Sequence, residues 1–174
     1  MKKKIVTFNS DKHNLAYKFE YNEEETKKLR DLFSKRKEIS MDNLRRVSLW
    51  KLNRCMDVPP ALLKKLNGVS RKKRIDPEGE EVKQLIEELT NCSGIGFPMA
   101  STILKFMRPD VFPIIDARAY RALFGKRLTY SQYSIEKYLD YLREVYRLKK
   151  ELNLPLDKVD EQLYMFDKEN NGKL

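Results

Sequence analysis

The chain is poor in the residues that build metal centres and covalent staples. It has two cysteines, Cys55 and Cys92, far apart and outside any C-x-x-C spacing, and a single histidine, His13. That excludes a disulfide framework, leaves no zinc ligand set, and points to a reducing compartment. Glycine and proline number only 6 and 7, and neither a low-complexity segment nor an internal repeat is present. No apolar run approaches membrane-spanning length, and Met1-Lys2-Lys3-Lys4-Ile5 lacks the apolar core of a signal peptide, so a cytoplasmic protein is expected. Acidic residues are outnumbered, 26 against 36 Lys+Arg, and the formal charge of +10 makes polyanions the natural partners. The 174 residues suit one compact domain, 1–174, or two small closely packed lobes.

What is there reads as mainly α. Ile5, Val6, Thr7 and Phe8, then Tyr17, Phe19 and Tyr21, mark a small N-terminal β-hairpin. Asn22 followed by three glutamates starts a helix with Leu29, Leu32 and Phe33 buried, to about Lys37. Ser40 is the expected N-cap of a second helix through Cys55. Pro59-Pro60 opens a third over 61–66, ended by Asn67-Gly68. Arg71-Lys72-Lys73-Arg74 follows in a linker reaching Gly79, either a solvated loop or a contact to nucleic-acid backbone. Later, Ser131 is expected to cap a long helix burying Ile135, Tyr138, Leu139, Leu142 and Val145. A last helix over 157–166 turns Val159, Leu163 and Phe166 inward, with a frayed tail from Lys168.

Residues 82–124 organise the rest. Val82, Leu85, Ile86 and Leu89 form an apolar stripe at i, i+3, i+4, i+7, and Ala100, Ile103, Leu104 and Met107 form a second one. Between them Gly94-Ile95-Gly96 allows a sharp turn with exposed amides, and Pro98 suits the first turn of the following helix. Helix, hairpin and helix together can grip a phosphate through backbone N–H groups. A short extended link, Pro113-Ile114-Ile115, then delivers Asp116 to the start of another helix.

Leu89, Gly94, Ile95, Gly96, Ala100, Pro113-Ile114-Ile115-Asp116 and Arg121 together resemble the helix-hairpin-helix GPD superfamily of DNA glycosylases, whose fold is endonuclease III-like. The resemblance covers about a quarter of the chain and implies a helix-hairpin-helix helical bundle acting in base excision repair on double-stranded DNA as a monomer. It implies that Ser93, Gly94, Ile95 and Gly96 hold a DNA phosphate, with room for a monovalent cation on the hairpin carbonyls. It also places Asp116 at a pocket mouth, facing the anomeric carbon of a flipped-out nucleotide. A carboxylate there stabilises an oxocarbenium-like transition state and helps activate water. An aspartate before Ala117-Arg118 is equally an ordinary N-cap, and both roles can coexist.

Departures from the family refine the expectation. Bifunctional relatives carry a Schiff-base lysine where this chain has Pro98, so a monofunctional glycosylase is implied, one that leaves an abasic site. Lys105, two turns on, is read as solvent-facing or phosphate-binding. The small hydroxyl residue and histidine that follow the aspartate in many relatives are replaced by Ala117-Arg118. Arg118 and Arg121 remain candidates for phosphate contacts. The stretch from Trp50 to Gly94 is shorter than the family's helical barrel. No cysteine follows Cys92, so the iron–sulfur cluster of some relatives is not expected, nor is any other cofactor. Trp50, Asn53 and Arg54 fall where relatives fill the gap left by the flipped base, or else serve as core anchor and surface. The alternative functions are a non-catalytic helix-hairpin-helix DNA-binding module and, in a third class, an RNA-binding or protein-interaction domain using the basic surface.

Overall fold

A computed structural model of the protein describes residues 22–34 and 39–173. The N-terminal β-hairpin expected over residues 2–20 lies outside the described residues. The chain divides into two compact units, Met1–Cys55 and Met56–Leu174. Among the described residues there are eight α-helices, one 3-10 turn and no strand.

The first unit pairs α1 (Glu23–Ser34) with α2 (Met41–Lys51). Asn22 Oδ1 accepts the Glu25 amide at 2.8 Å, and three glutamates occupy the first turn of α1, where the helix dipole favours them. Ser40 caps α2 as expected, in a reciprocal box with Asn43. Arg46 joins the two helices by a two-pronged ion pair to Glu25, at 2.9 and 3.0 Å. The helix stops at Lys51 rather than Cys55, because Leu52 and Asn53 turn away and Asn53 takes up a left-handed φ of 52°.

The second unit holds α3 (Pro60–Ser70), α4 (Glu80–Thr90), α5 (Phe97–Met107), α6 (Ala117–Phe124), a 3-10 turn (Tyr130–Gln132), α7 (Ile135–Leu152) and α8 (Leu156–Asn170). The expected stripes form its core. Val82, Leu85, Ile86 and Leu89 of α4, Ala100 and Leu104 of α5, and Tyr138, Leu142 and Val145 of α7 are all buried. Each aliphatic side chain so buried contributes about 1.5–3 kcal/mol before the entropy of ordering is counted. The link between α5 and α6 runs through this core, with Phe112 and Ile115 fully enclosed.

Three boundaries of the second unit also differ from expectation, for identifiable reasons. α3 runs through Asn67-Gly68 to Ser70, because Val69 docks in the core and Asn67 spends its amide on the Leu63 carbonyl at 3.0 Å. The cap of α7 is Ser134, whose Oγ accepts the Lys137 amide at 3.3 Å; Ser131 lies in the 3-10 turn. α8 continues past Phe166 to Asn170, and Phe166 is 54% exposed instead of facing inward.

Asp167 explains that extension. Its carboxylate is fully buried and accepts Arg121 Nε at 2.7 Å, Arg121 Nη2 at 2.8 Å and Arg118 Nη1 at 3.2 Å, which fastens α8 to α6. The Arg121 guanidinium beside Asp167 holds its carboxyl down to about 2. The stability this contributes is fully present above the unfolded carboxylate value of about 3.9 and is lost as pH falls through about 2. Urea denaturation of wild type and Asp167→Asn should therefore show a constant gap from pH 7 to pH 5 that narrows below pH 4. A gap independent of pH down to 2.5 would refute this role for the carboxylate.

Candidate active site and hairpin

The hairpin between α4 and α5 is built by two glycines with different tasks. Gly94 adopts φ 79°, a left-handed conformation that costs a side-chain-bearing residue about 1–2 kcal/mol. Gly96 has ordinary φ but lies under the Tyr130 ring: a Cβ there would approach Tyr130 Cε2 and the phenol oxygen to 2.9 Å. Ile95 between them is buried and anchors the turn to the core, its amide donating to the Cys92 carbonyl at 3.2 Å. Ser93 is exposed, and its carbonyl accepts the Asp57 amide at 3.3 Å. No side chain caps α5, and Pro98 in its first turn has no N–H to offer. The N-terminal amides of α5 at this hairpin are the kind of donors that hold an anion.

Asp116 terminates the extended link and caps α6, its Oδ1 accepting the Ala119 amide at 2.7 Å. It is only half-buried, and it lines a cleft of about 340 Å³ with Lys105, Ile114, Asp160, Glu161, Tyr164 and Met165. Burial is the main influence on its carboxyl and pushes the proton affinity up. The Ala119 and Arg118 amides oppose that, while the negative charge of Asp160 adds to it. An acid raised in this way, inside a cleft, is a common property of reacting carboxylates.

Two tyrosines feel the Asp116 charge. Tyr133, half-buried and stacked on Phe97 at 6.4 Å between ring centres, has its phenol pushed up by burial and then by the Asp116 charge. Tyr141 is fully buried with its phenol pushed well up, again mainly by burial, with Asp160 and Asp116 adding to it. The Tyr141 hydroxyl makes no hydrogen bond to any described residue.

Lys105 does not face solvent, which corrects the sequence expectation. It is 7% exposed, and its ammonium donates to Asp160 Oδ1 at 2.7 Å, the Asp157 carbonyl at 2.8 Å and Glu161 Oε1 at 3.3 Å. All three of its donors are taken, so none is left for a phosphate. Arg121, through Nε and Nη2, and Arg118, through Nη1, bond to Asp167, and Arg118 Nη1 also donates to the Gly172 carbonyl, so both arginines join α6 to α8. Arg118 also lies 5.8 Å from the centre of the Tyr164 ring.

Trp50, Asn53 and Arg54 belong to the first unit. Trp50 is half-buried and donates Nε1 to Thr26 Oγ1 at 2.7 Å, while Asn53 and Arg54 are exposed in the turn after α2. In the linker, Arg71, Lys73 and Arg74 are exposed with no salt bridge to a described residue, whereas Lys72 pairs with Glu81 at 2.6 Å.

Several residues escaped the sequence reading. Asp160, Glu161, Tyr164 and Met165 reach the cleft from α8, more than 40 positions beyond Asp116 in the chain. Tyr130 covers Gly96, and Lys126 and Arg127 precede it, exposed and without a salt bridge to a described residue. The Arg127 charge opposes, as the smallest influence, the upward push on the Tyr133 phenol. An aromatic following a Lys-Arg pair close behind the aspartate was the available signal.

Among the described residues no group of His, Cys, Asp and Glu could hold a metal ion, and no helix is long and apolar enough to cross a membrane. No protein-family model, no curated protein and no solved structure matches the chain.

Proposed function

We propose that the protein is a monofunctional DNA glycosylase of the helix-hairpin-helix type, hydrolysing the N-glycosidic bond of a flipped-out damaged or modified base. The observation that carries this is the half-buried Asp116 carboxylate, its proton affinity raised by burial, lining a cleft in the same compact unit as a glycine hairpin whose following helix has no side-chain cap. Hydrolysis builds positive charge on the sugar, and Asp116 is suited to stabilise it and to orient the attacking water. Tyr164 and Met165 supply apolar and aromatic surface against which an extruded base can lie. The hairpin amides, with Lys126 and Arg127, take the DNA backbone and give affinity without sequence preference. Pro98 offers no amine, and the Lys105 amine is fully engaged, so strand nicking through a Schiff base is not part of the reading. The protein acts on duplex DNA as a monomer in the cytoplasm and needs no cofactor.

The second reading, a DNA-binding module without chemistry, draws on one specific observation: the Asp116–Ala119 bond is what an N-cap requires. One experiment separates the two. The protein is incubated with duplexes carrying single alkylated, deaminated or oxidised bases, and the products are resolved with and without alkali. Alkali-dependent cleavage of one class supports the glycosylase. Cleavage without alkali overturns the monofunctional assignment. Salt-sensitive duplex binding with no cleavage across the panel favours the binding module.

A further inference from the structure

The link from Phe112 to Asp116 has no strand beside it among the described residues, yet most of it is buried. Its backbone groups are met by side chains from three helices. Ser101 Oγ of α5 accepts the Ile115 amide at 3.2 Å, and Tyr138 of α7 donates to the Pro113 carbonyl at 3.3 Å. Asp160 of α8 accepts the Ile114 amide through Oδ2 at 2.7 Å. Its Oδ1 takes Lys105 Nζ at 2.7 Å and the Glu161 amide at 3.0 Å, and Asp160 is 3% exposed.

An asparagine could hold Ile114 through the same oxygen. The charge of Asp160 therefore exceeds what anchoring requires, and a buried carboxylate is tolerated only with a partner such as Lys105. A buried ion pair adds little stability over a well-packed neutral pair, so its placement in the Asp116 cleft calls for another use. Taking Asp116 as the reacting carboxylate, as proposed above, we propose that Asp160, clamped by Lys105, is its positioning residue. Asp160 fixes the backbone two residues upstream of Asp116 and sets a second negative charge in the same cleft.

The charged and titratable neighbours of Asp116 can be assigned by element. From α8 come Asp160, Glu161 and the Tyr164 phenol; from α5, Lys105; from α6, Arg118. Tyr133, just before α7, and Tyr141, on α7 itself, also feel the Asp116 charge. Asp160 opposes Asp116 ionisation and Arg118 favours it, so removing the Asp160 charge must move the Asp116 midpoint to lower pH.

The test uses the full chain labelled with ¹⁵N throughout and with ¹³C at aspartate, and needs no substrate, so its failure is distinct from failure of the glycosylase reading. In wild type, a through-hydrogen-bond coupling is expected between the Ile114 amide nitrogen and the Asp160 carboxyl carbon; its absence overturns the anchoring. In Asp160→Asn, the Asp116 carboxyl midpoint is expected to fall while Ile114 amide exchange stays within about threefold of wild type. In Asp160→Ala, the midpoint is expected to fall as well, with Ile114 exchange at least about tenfold faster. An unchanged midpoint in Asp160→Asn overturns the electrostatic half of the proposal. If Asp160→Ala does not fold, the wild-type coupling and Asp160→Asn still decide both halves.

Discussion

Asp116→Asn is expected to slow base release by at least about 100-fold while leaving the melting temperature at pH 7 unchanged or higher. Both halves follow from the environment of this carboxylate. Burial and Asp160 hold its folded-state proton affinity above the unfolded value. Its contribution to stability is therefore fully present below the unfolded value of about 3.9 and is lost as pH rises through the raised folded value. At pH 7 the wild type bears the cost of an ionised, partly desolvated acid. Asparagine is as good an N-cap as aspartate and can still accept the Ala119 amide, so the substitution removes the charge and keeps the cap. It forgoes a helix-dipole interaction of about 0.3–1 kcal/mol, which offsets part of the gain. Single-turnover rates on the responsive duplex, with thermal melts at pH 7 and pH 4, check the pair of effects. A rate within fivefold of wild type would remove Asp116 from the chemistry. A melting temperature several degrees lower at pH 7 would make it chiefly a structural cap.

The N-cap role of Asp116 was legible in the sequence because the cues for it are local. The stripes of α4 and α5 repeat within one turn, Gly94 answers to a left-handed turn, and Asp116 precedes the helix whose amide it accepts. The surroundings of Asp116 were not legible, because they come from α8. Lys105 reads as a surface lysine on α5 until Asp160, 55 residues later, is brought over it. Arg118 and Arg121 look like phosphate ligands by charge and position, but the wholly buried Asp167 claims both. An acid facing inward on an amphipathic helix leaves no periodic signature, since apolar spacing reports only apolar faces. The ends of α3 and α8 failed for the same reason. Val69 and Asp167 continue their helices through tertiary contacts, against what Gly68 and the charged residues from Lys168 suggest locally. Ser131 is the expected cap of α7, but it lies in the 3-10 turn, and the hydroxyl that meets an open amide is that of Ser134.

Lys105→Met is expected to destabilise the protein by about 3–5 kcal/mol, the largest stability loss anticipated for a single substitution outside the apolar core. Methionine matches the stem of lysine in length and can pack along the same path, so the loss is not one of volume. It comes from stranding Asp160. With the ammonium gone, Oδ1 keeps the Glu161 amide and Oδ2 the Ile114 amide, and a carboxylate 3% exposed has no other salt-bridge partner among the described residues. The Asp157 carbonyl loses its donor at the same time. Combining Lys105→Met with Asp160→Asn should recover more than half of the loss. The neutral amide still accepts Ile114, and no unpaired charge remains buried. Urea denaturation of the two single variants and the double variant gives the coupling directly. Additive losses would mean that the two side chains act independently and that the ion pair does not hold the link. A double variant more stable than Lys105→Met, in which the Asp116 midpoint still lies below the wild-type value, would separate the two uses of the pair. Folding would then need only a partnered acceptor at position 160, while the Asp116 carboxylate would need that acceptor to be charged.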